Sequence, residues 1–277
     1  MKSLMERHEA FARLHDSGCF VLPNPWDVGS ARIMAASGAK ALATTSAGHA
    51  FTLGRTDGGT VTRDEALAHA QDILAATPLP VSGDFENGFG DTPEDVARTV
   101  QRAGEIGLSG CSVEDTIMGE ELAAYDFDLA IERIRAGAAA AKALNRPFVF
   151  CARADGVMNG VYSTEAAIKR LQAFEAAGAD LLYAPIPPSM GELERIVKSV
   201  SKPVNALIAG DFRHFQLADF AAIGVRRCSL GSTIARLTHH HIVKAAYAMC
   251  QAGDFTPLAE TASGDMVDRL LHLGADD

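Results

Sequence analysis

The chain has 277 residues, 48% of them hydrophobic, and 25 Lys and Arg against 35 Asp and Glu, for a formal net charge of −10. This is the composition of a globular protein with a sizeable core, so general disorder is excluded. The acidic balance argues against nucleic acid or an anionic membrane surface as partner, and no run approaches the ~20 apolar residues of a membrane span. The first ten residues lack the apolar core of a signal peptide. Cys19, Cys111, Cys151, Cys228 and Cys250 are odd in number and free of C-x-x-C spacing. Most lie in apolar runs and read as buried free thiols, so a soluble cytoplasmic protein is expected.

In chain order, an N-terminal helical stretch precedes a short β-rich run at 20–22. Seven more such runs follow at 41–45, 79–83, 111–114, 147–152, 181–184, 203–208 and 225–230. Their brevity suits strands buried on both faces of a parallel sheet. Stretches with helical spacing of apolar residues, such as 63–75 and 164–177, lie between them. Thr62, Thr92 before Pro93, and Ser163 sit where helix caps belong, and Gly38, Gly107, Gly178 and Gly224 sit where helices end. Eight alternating strand–helix units predict an α/β fold, a (β/α)8 TIM barrel forming a single domain over 1–277. The barrel is expected over about 19–235, followed by a C-terminal helical tail over about 236–277.

Chemistry in such a barrel sits at the C-terminal ends of the strands. The first strand delivers Asn24, Trp26 and Asp27. The second runs into Ser46, Ala47, Gly48 and His49, with Asp57 in the loop beyond. The third ends in Asp84 and Glu86, the fourth in Glu114 and Asp115, and the fifth in Arg153 and Asp155; the seventh runs through Asn205. Asp84, Glu86 and Glu114 crowded at one mouth would repel one another unless a cation intervened. With oxygen ligands alone, that cation would be Mg²⁺ or Mn²⁺. The competing reading makes some of these acids strand-end ion pairs or helix caps. Arg153 suits a bidentate grip on a substrate carboxylate, or alternatively an ion pair that closes the acidic cluster. No lysine ends a strand, which argues against Schiff-base chemistry. Gly231-Ser232 after the eighth strand is a weak phosphate-cradle candidate, and His239-His240-His241 cannot converge on one ion because successive helical residues point ~100° apart.

The segments 23–31, 45–48, 53–62, Asp84-Phe85-Glu86-Asn87-Gly88-Phe89-Gly90, Val113-Glu114-Asp115 and Ala152-Arg153-Ala154-Asp155 together resemble the isocitrate lyase/phosphoenolpyruvate mutase superfamily. The resemblance runs from about Leu22 to Arg236. It implies Mg²⁺ held directly or through water by Glu86, with Asp84 and Glu114 on metal-bound waters and Asp57 in support. It also implies a substrate carboxylate bound by Ser46, the backbone of Ala47 and Gly48, and Arg153, and an enolate as the shared intermediate. A helix-swapped dimer and a tetramer are implied as well. Two departures stand out: Glu86 replaces the more common Asp, and the loop after the fourth strand has neither the lyase Cys-Gly-His segment nor the Asn of phosphonomutases. The expected activity is therefore carbon–carbon lyase or decarboxylase chemistry on a small 2-oxo or 2-hydroxy di- or tricarboxylate. The alternatives are P–C chemistry of the phosphonopyruvate/phosphoenolpyruvate type, or a non-catalytic 2-oxoacid-binding barrel. His49, Tyr125 and Glu121 are the nearest replacements for the missing acid.

Overall fold

A computed structural model describes residues 3–119 and 123–275. Eight parallel strands form a nearly closed barrel: β1 (Phe20–Leu22), β2 (Leu42–Ala43), β3 (Val81–Asp84), β4 (Gly110–Glu114), β5 (Val149–Arg153), β6 (Leu181–Tyr183), β7 (Val204–Leu207) and β8 (Arg227–Ser229). The ladder runs β1-β8-β7-β6-β5-β4-β3-β2. The seam between β1 and β2 carries no ladder. Ala43 N–H donates to Pro23 O (3.0 Å) there, and Asn24 Nδ2 donates to Thr44 O (2.9 Å).

The helices follow the expected alternation, and their starts are chemical. Thr62 caps α4 (Arg63–Ala76), Thr92 caps α5 (Pro93–Glu105) and Ser163 caps α7 (Thr164–Ala176), each through its side chain. Each such cap contributes about 1 kcal/mol by satisfying backbone N–H groups that no helical carbonyl reaches. Gly38, Gly107, Gly178 and Gly224 all have positive φ, between 92° and 108°, where only glycine is unstrained.

Most strand boundaries shift by one or two residues, and two strands shorten most. The strand expected over 41–45 is only Leu42–Ala43, because Thr45 already caps α3 (Ser46–Thr52), its Oγ1 accepting from Gly48 N–H. Residues 46–48 are thus the first turn of a short helix. The eighth strand, expected over 225–230, pairs only over Arg227–Ser229.

Inward parity along the strands builds the barrel interior from Phe20, Leu22, Ala41, Ala43, Val149, Cys151, Leu181 and Tyr183. Phe11 of α1 (Leu4–Arg13), fully buried, enters this cluster near the strand starts, opposite the mouth. A larger cluster fills the layer between strands and helices. Beyond the barrel, α10 (Thr233–Ala252) buries only Ala235 and exposes Leu237, Ile242, Val243 and Tyr247. The last helix, α11 (Gly264–Leu273), packs on α2 (Val28–Ala36). No described helix is long and apolar enough to cross a membrane.

Candidate active site

Parallel pairing delivers the acids and the arginine to one end. Glu114 of β4 lies opposite Arg153 of β5, and Asp84 of β3 opposite Ser112 of β4. Arg153 then touches three carboxylates: Nη1 reaches Asp84 Oδ1 (2.8 Å), Nη2 reaches Glu114 Oε2 (2.9 Å), and Nε and Nη2 grip Asp155 bidentately. The guanidinium lies 5.2 Å above the Tyr183 ring. Burial opposes its charge, but Asp155, Glu114 and Asp84 raise its pKa. In this arrangement Arg153 closes the acidic cluster.

Asp84 is held from the other side by Ser46, whose N–H and hydroxyl both donate to Oδ2. Glu86 follows in a left-handed conformation (φ 44°), rare for a residue with a side chain. That turn buries it to 4% exposure. Its Oε1 accepts from Gly59 N–H (3.2 Å), while Oε2 is buried without a partner. Burial chiefly, with Asp84 and Asp57 adding to it, pushes the Glu86 carboxyl up to about 7. Asp57 is raised as well, by burial first and then by Asp84. Burial also lifts Glu114 and Asp155, against the pull of Arg153.

The mouth opens into a cavity of about 160 Å³ whose lining includes Asn24, Ser46, Ala47, Asp57, Asp84 and Arg153, and also Ser82, Ser112, Tyr183, Arg227 and Ser229. Several expected residues lie elsewhere. Trp26 lines a separate, larger apolar cavity between α2 and the C-terminal helices. Asn205, fully buried, lies beneath the cavity and donates to Ser229 Oγ while accepting from Arg227 Nε. His49 sits behind the acids, stacked on His69 with ring centroids 3.9 Å apart, and neither ring nitrogen has a partner. Burial, then His69, lowers its pKa to about 4. The Tyr125 hydroxyl donates to Asp91 and accepts from Asn87, which removes it from the mouth. Glu121 lies outside the described residues. Asp115 braces the scaffold, accepting from Asp155 N–H and Tyr162 hydroxyl and pairing with Arg170. At Gly231, Asn24 Oδ1 accepts both the Leu230 and Gly231 N–H groups, so these two amides are already engaged.

Tyr183, Ser229 and Arg227 escaped sequence reasoning. The available signal was parity: each lies two residues from another inward position.

This set of strand ends agrees with the comparisons. The family model for phosphoenolpyruvate phosphomutase matches residues 11–250. The chain belongs to the isocitrate lyase/phosphoenolpyruvate mutase superfamily. Within the superfamily it is similar to a Burkholderia cenocepacia J2315 protein provisionally designated a lyase/mutase. The two are 40% identical, with 96% of this chain and 95% of that one covered, at a TM-score of 0.91. It is 34% identical to an uncharacterized protein of Mycobacterium tuberculosis H37Rv, over 80% of this chain and 82% of the relative. It is 30% identical to the probable 2-methylisocitrate lyase 2 of Corynebacterium glutamicum, over 91% of this chain and 80% of the relative. Like these superfamily lyases, the chain is an enzyme of the carbon–carbon lyase type.

Proposed function

We propose that this enzyme cleaves a carbon–carbon bond in a small 2-oxo or 2-hydroxy di- or tricarboxylate, as a Mg²⁺-dependent lyase or decarboxylase passing through an enolate. The observation that carries this reading is the unpartnered, buried Glu86 Oε2 beside Asp84 and Asp57. A carboxylate oxygen left without a donor in a low-dielectric mouth is costly unless a cation or proton meets it. The donors are all oxygen, which fits Mg²⁺ or Mn²⁺ rather than zinc.

Among the described residues no three His, Cys, Asp or Glu side chains form a ready ion cage. Mg²⁺ does not require such a cage, because it commonly takes one or two protein carboxylates and keeps water for the rest. Glu86 and Asp84 would hold the ion, with Asp57 and Glu114 around them. Bound there, it would supply Lewis-acid stabilisation of developing enolate charge.

The chain's own residues do the rest. Arg153 offers a fixed guanidinium plane to a substrate carboxylate, exchanging one of its three acidic partners for it. Tyr183 supports that plane from below, and the hydroxyls of Ser46, Ser112 and Ser229 line the space the substrate enters. The buried walls exclude bulk water, which strengthens each of these interactions.

The same reading includes a soluble, cytoplasmic homo-oligomer built on a single barrel domain. The support for the oligomer is α10, which buries only Ala235 and leaves Leu237, Ile242, Val243 and Tyr247 exposed. Light scattering of the Tyr247→Asp variant should then show smaller particles than the parent.

The direct test is proton NMR of the purified protein with oxaloacetate, dimethylmalate, methylisocitrate, 2-oxoglutarate and phosphonopyruvate, each with Mg²⁺ and again with EDTA. The expected result is a cleavage product, such as pyruvate, that appears with Mg²⁺ and disappears with EDTA. Tight binding with no turnover of any acid would favour a 2-oxoacid-binding protein instead.

A further inference from the structure

The cavity that opens beside Arg153 contains a second guanidinium. Arg227, on β8, faces inward at 4% exposure, one strand-layer deeper than the mouth. Its polar partners are neutral: Nε donates to Asn205 Oδ1 (2.7 Å) and Nη2 to Cys151 Sγ (3.5 Å). Burial raises the pKa of the Cys151 thiol, so it remains neutral and supplies no countercharge. Nη1 is buried and has no partner. Among the described residues, no carboxylate forms an ion pair with Arg227. The charge of Arg153 repels it.

Every other deeply buried arginine in this barrel has a different arrangement. Arg153 holds three carboxylates, Arg170 pairs with Asp115, and Arg133 donates to two backbone carbonyls. An uncompensated buried guanidinium is strongly unfavourable. Arg227 and Arg153 both line the cavity, but of the two only Arg227 lacks an acid partner among the described residues, so an anion can meet it from the cavity side.

We propose that Arg227 forms an inner anion subsite, held in place by Asn205, that receives a second carboxylate of the substrate. The substrate is then a short dicarboxylate, with its 2-oxo or 2-hydroxy end at the mouth and its distal carboxylate in the barrel. This rests on the reading of the mouth as the reacting end and adds the identity of the other end. A cavity of about 160 Å³ corresponds to about five waters at ~30 Å³ each, the scale of a four- or five-carbon acid. Asn205 is a positioning residue: its Oδ1 fixes Nε while its Nδ2 is anchored on Ser229 Oγ (2.9 Å).

The test compares succinate with succinamate, which has the same shape with one charge removed, by calorimetry in EDTA. Working without metal or turnover separates this question from whether the enzyme reacts through Mg²⁺. The parent should bind succinate at least tenfold more tightly than succinamate. Arg227→Gln should bring succinate down to the succinamate level while leaving succinamate within about twofold. Asn205→Asp gives Arg227 a permanent carboxylate, so it keeps the fold satisfied while closing the subsite; it should lose succinate preference in the same way. Asn205→Asp decides the matter if Arg227→Gln fails to fold. Equal affinity for the two ligands in the parent would overturn the proposal. So would succinate preference that survives in folded Asn205→Asp, or an Arg227-dependent rise in melting temperature produced by chloride and not by succinate.

Discussion

Ser46 gives both its backbone N–H and its hydroxyl to one oxygen of Asp84, Oδ2, at 3.0 and 3.1 Å. The other oxygen, Oδ1, accepts from Arg153 at 2.8 Å. Asp84 therefore joins the first turn of α3 to the arginine of β5, and the donors expected to receive a substrate carboxylate already hold one. A substrate entering this mouth competes with a resident acid for the same groups, so binding and rearrangement of the acidic cluster are linked.

Arg153 is the countercharge of three buried acids. Replacing it with Gln leaves Asp84, Glu114 and Asp155 without a cation, and loss of one partner of a buried pair costs about 3–5 kcal/mol. Urea denaturation should show a loss of that order. Arg153→Lys should recover part of the stability but little turnover, because an ammonium cannot reproduce the bidentate grip on Asp155.

For Glu86 the folded pKa, about 7, is above the ordinary 4.5. The folded state therefore binds more protons than the unfolded chain between these values, and stability falls as pH rises through that window. Glu86→Gln removes this slope. At pH 8 and without metal, Glu86→Gln should be more stable than the parent by on the order of 2 kcal/mol. Its melting temperature should no longer rise on adding Mg²⁺, and turnover should be lost. A Mg²⁺ shift that persists in the variant would place the ion elsewhere.

His15 lies at the closed end of the barrel, edge-on to Phe11 and Phe20, with Nδ1 bonded to Phe11 O. Burial, then Arg227, lowers its pKa from 6.5 to about 3. The unfolded chain thus takes up the proton first, so stability from this residue is complete above pH 6.5 and is lost as pH falls towards 3. His8, lowered to about 4 by burial, acts in the same direction. The acids raised by burial, Glu86 among them, act in the opposite sense over the same range, so the readout is a difference: the melting temperature of the parent minus that of His15→Gln should decrease as pH is lowered from 7 to 4.5.

Asn24 closes the seam: it donates to Thr44 O on one side and accepts from Leu230 and Gly231 on the other. Asn24→Ala strands two backbone N–H groups and one carbonyl. At about 1–3 kcal/mol for an unsatisfied buried group, the loss should be measurable in chemical denaturation. Added phosphate should not restore the parent's stability unless the freed amides bind it.

Legibility in the sequence followed locality. The strand runs, the caps at Thr62, Thr92 and Ser163 and the C-cap glycines are set by neighbours within a few residues, so periodicity and turn chemistry exposed them. The convergence of Asp84, Glu86, Glu114 and Arg153 was also legible, because parallel strands place their ends together. What each does there was less so. Arg153 could be read as a substrate clamp or as an ion pair, and only the distances to Asp84, Glu114 and Asp155 distinguish them. Trp26 looked like a mouth residue by position in the chain, yet it lines the apolar cavity beside α2.

The amino-acid sequence by itself determined the barrel, the polarity of its strands and the end at which the acids gather, because binary pattern and strand direction are properties of short segments. The tertiary structure alone decided which acid each donor holds, that Glu86 Oε2 is unpartnered, and that Arg227 points inward with no countercharge among the described residues. Apart from the Arg153–Asp155 pair, those outcomes depend on residues 22 to 76 positions apart meeting across a curved sheet, where a rotation of one side chain exchanges one partner for another.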